Sequence, residues 1–186
     1  MKPFQKSIEL VRSAVDAGRI SGAALAIGDR DQLFVEEAFG YTSFADLTGG
    51  AGAVDCHTLY DMASVSKIMS TTMVTLRFLA DGLMDLADML PVYFGEMVPE
   101  DKAQITLFQL LTHTSGFPAH LSLEEHMEPG SDIADFLLHE PLAYTPGTQV
   151  VYSCMGFILL AKALERVGGQ PLDTLARRLG FEPLGM

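Results

Sequence analysis

Ser64-Val65-Ser66-Lys67 places a hydroxyl and an amine three residues apart. On a helix, residues at that spacing share a face, so the two groups can meet. A serine at a helix start also sits at the positive end of the helix dipole, where developing anionic charge is stabilised. A lysine desolvated in an apolar pocket loses its proton more readily and can accept the hydroxyl proton. The pair is therefore a candidate nucleophile, Ser64, with a candidate base, Lys67, whose ammonium is expected below its ordinary pKa. The spacing alone is unspecific. A helix-capping serine followed by a solvated lysine has the same pattern, and composition supplies it by chance in roughly one such chain in three.

Other residues of reactive type carry less. His120 lies near Glu124-Glu125-His126, but a His-x-x-Glu-His zinc pattern needs Glu at position 123, where Leu123 stands. These histidines read as solvated loop residues, and no metal or other cofactor is expected. Cys56 and Cys154 form neither a paired zinc motif nor a disulfide framework, and suit a reducing compartment. Cys154 is expected to be an inert thiol in apolar surroundings. Gly-x-Ser-x-Gly, Walker A and Gly-x-Gly-x-x-Gly patterns do not occur. A net charge of −12 disfavours nucleic acid and anionic lipid surfaces as partners. The N-terminal residues contain no apolar leader segment and no run of membrane-spanning length occurs, so a cytoplasmic location is expected. With 48% hydrophobic and only 19% charged residues, the chain reads as globular, with a face whose cover is missing.

The elements that must position Ser64 and Lys67 follow from periodicity. Phe4–Ala17 predicts an amphipathic helix closed by Gly18. Ala23–Gly28 and Leu33–Phe39, flanking Asp29-Arg30-Asp31-Gln32, predict a β-hairpin, and Tyr41–Asp55 a loop. Ser64–Leu79 predicts one long helix. Short helices are expected over Leu83–Tyr93, interrupted at Pro91, over Thr106–Thr112 with Thr106 as cap, over Ser131–His139 with Ser131 as N-cap, and over Pro171–Leu179. His113–Phe117 reads as a loop, and Ser153–Val167 as a strong helix closed by Gly168-Gly169. Met62, Met69, Met73, Met84 and Met89 read as core filler. The fold class is α+β. Residues 1–55 would hold the helix and hairpin, and residues 56–186 a mainly helical part. Two strands alone are not stable.

Four segments make the chain resemble the β-lactamase-like serine hydrolases, which include class C β-lactamases, D-alanyl-D-alanine peptidases and related esterases. They are Leu59–Lys67 (LYDMASVSK), Ile105–Pro118 (ITLFQLLTHTSGFP), Pro146–Glu165 (PGTQVVYSCMGFILLAKALE) and Phe181–Met186 (FEPLGM), in family order and spacing. The resemblance runs from about Ile8 to the end and implies a truncated β-lactamase/transpeptidase-like fold. It implies that Ser64 is the acylated nucleophile, Lys67 its proton acceptor and Tyr152 a second proton shuttle. His113 would be a structural loop residue. A phenol near an ammonium ionises more easily and can deprotonate the serine.

Two departures from the family pattern bear on function. Cys154 stands where the family usually has a substrate-binding Asn, and a thiol is a weak donor and acceptor. That shifts the expected substrates from amides and β-lactams toward esters. Secondly, no Lys-Thr-Gly or His-x-Gly follows Tyr152. That motif lies on a strand supplying an oxyanion donor, whose loss costs about 10²–10³ in rate. The resemblance therefore implies a hydrolase of small ester, amide or β-lactam substrates whose activity in this chain is impaired. The alternative is a non-catalytic ligand-binding or interaction fragment. A homo-oligomer or a complementing C-terminal segment is the expected cover for the hairpin edge.

Overall fold

The computed structural model describes residues 4–44, 52–128 and 130–186, apart from the side chains of Glu124 and Glu125. Part of the loop expected over Tyr41–Asp55, and the two carboxylates beside His126, thus lie outside the described residues. The chain forms two compact units, Met1–Asp61 and Met62–Met186.

The first unit is helix α1 (Gln5–Asp16) packed on a hairpin of β1 (Gly22–Gly28) and β2 (Leu33–Gly40). The turn is built by Asp29, whose carboxylate accepts the N–H groups of Asp31 and Gln32, both at 2.9 Å. An aspartate closing its own turn in this way fixes the hairpin locally. The strands pair antiparallel from Gly22↔Gly40 to Ile27↔Val35, with an irregularity at Ile27/Gly28. Ile8 and Phe39 are buried, and the Arg12 guanidinium lies 5.0 Å from the Phe39 ring centroid. Among the described residues the sheet has these two strands only, so each keeps one unpaired edge.

The sequence places the boundary between the two parts after Asp55, whereas the compact unit runs to Asp61. Tyr41 bridges Ala53, Val54 is buried and donates to the Gly40 carbonyl at 2.9 Å, and Asp55–Thr58 closes a turn. Backbone pairing to the end of β2 therefore carries this segment with the hairpin.

The second unit is built around a long helix, α7 (Cys154–Gly168). Met155, Leu159 and Ala163 form one row at four-residue spacing, and Gly156, Leu160 and Leu164 the next; all are buried. Two adjacent rows make a stripe wide enough for several helices. Against it pack α3 (Leu90–Phe94), α4 (Leu107–Leu111), α6 (Ile133–His139) and α8 (Leu172–Ala176). Each fully buried leucine in this core contributes about 1.5–3 kcal/mol. The remaining helical pieces are α2 (Met73–Ala80), α5 (Leu123–His126) and α9 (Glu182–Leu184). Thr106 and Gln109 cap α4 with a reciprocal pair of hydrogen bonds, at 3.3 and 3.0 Å. Gly169 ends α7 in the left-handed conformation, with φ 63°.

Several expectations are corrected. Pro91 does not interrupt a helix but stands in the first turn of α3, where a missing N–H costs nothing. The segment before it is shaped by turns at Asp85 and Asp88. Asp132, not Ser131, caps α6, accepting from the N–H groups of Ala134 and Asp135. The Ser64 helix is not uniformly α: Lys67–Thr72 form a π-helical turn before α2. Met84 is core, but Met62 is half exposed, and with Met69, Phe181 and Met186 it lines an apolar cavity of about 380 Å³.

Gly116 supports the loop that leads from α4. Its φ is 92°, and a Cβ there would meet the Tyr144 carbonyl oxygen at 2.7 Å. Gly116→Ala is expected to destabilise the fold by about 1–3 kcal/mol, seen as a lower denaturation midpoint in urea with unchanged slope.

Candidate active site

Ser64 is delivered by a tight turn. The N–H groups of Val65, Ser66 and Lys67 donate to the carbonyls of Met62, Ala63 and Ser64 at 2.9, 3.1 and 3.1 Å. Ala63 has φ 41°, a conformation rarely taken by a residue with a Cβ. The chain thus bends sharply just before Ser64 and is helical from Val65, with the π-helical turn beginning at Lys67. Such turns widen a helix locally and concentrate at functional sites.

Lys67 Nζ lies 3.3 Å from Ser64 Oγ. The Tyr152 side chain, on the residue before the Ser153 N-cap of α7, shares a cleft with both, and Ser64 and Lys67 are the groups that act most on its phenol. Lys67 Nζ is 5.3 Å from the Tyr152 ring centroid. The structure therefore brings together the three side chains that the sequence assigned to the chemistry. They line a cleft of about 420 Å³ with apolar walls that include Val65, Ile68, Leu111 and Phe157.

The electrostatics differ from the expectation for Lys67. Burial is the largest single influence and draws its pKa down. Hydrogen bonds and charge attraction from Tyr152 and Cys154 together outweigh it, and the ammonium is held above its ordinary value of 10.5. Tyr152 moves the other way: hydrogen bonds from Ser64 and then Lys67, with the Lys67 charge, pull the phenol below 10.0. The arrangement favours a phenolate beside an ammonium. Positive charge beside a phenol favours its ionised form.

Cys154 is also corrected. It is exposed rather than buried, and its thiol interacts with the Lys67 ammonium. The apolar row of α7 begins one residue later, at Met155, so Cys154 faces the open side of the helix start.

His113, a structural loop residue by the family resemblance, adds a partner to the site. It follows α4 in a left-handed conformation, φ 57°, and its ring lies 4.6 Å from that of Tyr152, centroid to centroid. Burial, then the Lys67 charge, hold its imidazole below the ordinary histidine value. Residues 113 and 152 are far apart in sequence, and no periodicity joins them. The positive φ, which histidine tolerates better than most side chains, is visible only in the folded backbone.

Comparison with known proteins gives the family and the fold. Residues 8–186 match the family model described as Beta-lactamase. A Salmonella agona (strain SL483) protein named "Putative D-alanyl-D-alanine carboxypeptidase" is 26% identical, over 95% of this chain but 44% of its own length. The chain thus spans less than half of the curated relatives it matches. The crystal structure of a β-lactamase/D-alanine carboxypeptidase from Yersinia pestis, complexed with citrate, is 27% identical with a TM-score of 0.72, covering 96% of this chain and 54% of that one. The octameric penicillin-binding protein homologue from Pyrococcus abyssi has the same fold, with a TM-score of 0.79 at 21% identity, covering 99% and 43%. A match over nearly the whole chain, on the segments that carry Ser64, Lys67 and Tyr152, means that this chain belongs to the β-lactamase family.

Proposed function

We propose that the chain is the nucleophile-bearing part of a serine acyl-hydrolase that works through an acyl-Ser64 intermediate. The observation that carries this reading is the convergence of one hydroxyl, one amine and one phenol on one cleft: Lys67 Nζ lies 3.3 Å from Ser64 Oγ and 5.3 Å from the centroid of the Tyr152 ring. Tyr152 oxygen takes the Ser64 proton as Oγ attacks the substrate carbonyl carbon and the carbonyl electrons move to oxygen. Collapse of that adduct expels the leaving group, which takes the proton from Tyr152. A water molecule then gives a proton to Tyr152 and attacks the acyl carbon. Ser64 leaves and recovers that proton. Lys67 remains an ammonium throughout and stabilises the phenolate in each step.

The substrate class this site supports best is an ester with an apolar acyl or alcohol group. The cleft walls are apolar, and Cys154 offers a thiol, a weak hydrogen-bonding group for an amide's N–H and C=O. The names of the Salmonella and Yersinia relatives support acyl transfer as the reaction type. Formation of the acyl-Ser64 intermediate is the step that Ser64, Lys67 and Tyr152 carry in this reading, so it is the direct readout of the site.

Labelling therefore tests the reading better than turnover. A fluorophosphonate is expected to add one phosphonyl group per chain, mapped to Ser64 by peptide mass, and to leave Ser64→Ala unmodified. Equal labelling of the alanine variant, or none of the unaltered chain, would refute it.

A further inference from the structure

We infer that His113 is a positioning residue for Tyr152, holding the segment on either side of the phenol so that its oxygen stays between Ser64 and Lys67. The inference rests on the acyl-hydrolase reading of Tyr152 and deepens it.

Three contacts made by one residue carry the argument. The His113 carbonyl accepts the Val151 N–H at 2.9 Å, and also the Tyr144 hydroxyl at 3.2 Å. Its ring nitrogen Nδ1 accepts the Ser153 N–H at 3.1 Å. The residues immediately before and after Tyr152 are thus both tied to His113. Its ring packs on Tyr152 at 4.6 Å on one side and on buried Phe157 at 5.0 Å. Tyr152 itself is 48% exposed, so few other contacts fix its angle. Residues that pin a catalytic side chain from behind matter because a displacement of about 1 Å can cost around a hundredfold in rate.

The device also responds to protons. Nδ1 can accept only while the imidazole is neutral, with its proton on Nε2. The charged and titratable groups facing it are the Lys67 ammonium, from the π-helical turn, and the phenols of Tyr144 and Tyr152. Burial and Lys67 both disfavour a second positive charge here. Protonation at acid pH would remove the Ser153 bond and place a cation beside another, so the clamp loosens as pH falls through the histidine's own titration.

His113→Ala and His113→Asn separate positioning from mere folding. Asparagine tolerates positive φ and offers an amide oxygen to the Ser153 N–H, but has no proton to gain. The readouts are the rate of fluorophosphonate labelling at Ser64 against pH, and the titration of Tyr152 followed by tyrosinate absorbance, with Tyr152→Phe as the blank. His113→Ala is expected to slow labelling roughly 10- to 100-fold and to return the Tyr152 titration toward that of a free phenol. His113→Asn is expected to recover most of both. In the unaltered chain the acid side of the profile should steepen to two protons below the ordinary histidine range, and in the asparagine variant it should remain at one. Labelling and phenol titration unmoved in the alanine variant would overturn the inference, as would a two-proton acid limb retained in the asparagine variant. If Tyr152→Phe labels as fast as the unaltered chain, the acyl-hydrolase reading fails and this inference with it. If Tyr152→Phe is slow while His113→Ala is not, the positioning role alone fails.

Discussion

Tyr152→Phe slows the acylation of Ser64 by about 10²–10⁴-fold at neutral pH, the range that one positioned proton acceptor supplies. The substitution removes a single oxygen from a half-exposed ring, so the packing of the ring on His113 stays and the fold is expected to remain intact by circular dichroism. Ser64 then loses its phenolate acceptor. Lys67, at 3.3 Å, recovers only part of the rate: the variant removes the Tyr152 contacts that raise its pKa, but those of Cys154 still favour its ammonium. The pH profile gives the sign. Tyr152 titrates below 10.0, so the labelling rate of the unaltered chain rises with pH up to that point and then levels. It falls again only above 10.5, where Lys67 loses its proton. The phenylalanine variant should lose the rising limb along with the rate.

Lys67→Met is expected to produce a loss of about 10²–10³-fold, of a different kind. Methionine keeps most of the chain length and removes the charge. The phenol then keeps its bond to Ser64 but loses both the hydrogen bond and the charge that depress its titration. The rising limb of the labelling profile should therefore shift to higher pH, so that alkaline solution restores part of the rate. The double variant, Lys67→Met with Tyr152→Phe, should be little worse than Tyr152→Phe alone, since lysine acts mainly through the tyrosine. If lysine were itself the acceptor, alkaline pH would not rescue the methionine variant, and the tyrosine variant would be the milder of the two.

The sequence was legible wherever a local interaction decides local structure. The hairpin could be read because Asp29 builds its own turn between two apolar runs. The α4 start could be read because Thr106 and Gln109 satisfy each other across three residues. Helix α7 carries its core contact in its own spacing and ends at Gly169. The Ser-x-x-Lys spacing likewise predicted a contact that a single turn can make.

What could not be read depends on distant partners. Burial by itself predicts that Lys67 loses its proton readily. The opposing groups, Tyr152 and Cys154, lie far along the chain and reverse the sign once folded. Cys154 was placed among apolar neighbours because apolar residues follow it. At the first position of a helix, however, the side chain's direction is set by the cap, and it points outward. The π-helical turn at Lys67–Thr72 has no periodic signature in six residues. His113 shows its importance only through bonds to residues 144, 151 and 153, supplied by a separate loop.

The claim beneath the whole account is that a lysine ammonium favours the ionised Tyr152 oxygen, so that it is free to take the proton of Ser64. The titration of Tyr152, taken as the difference in tyrosinate absorbance between the unaltered chain and Tyr152→Phe, tests it most directly. The account predicts a phenol ionising below 10.0 in the unaltered chain, and a titration shifted upward toward that value once Lys67 is methionine. A Tyr152 phenol that ionises at or above 10.0 with Lys67 in place would contradict it.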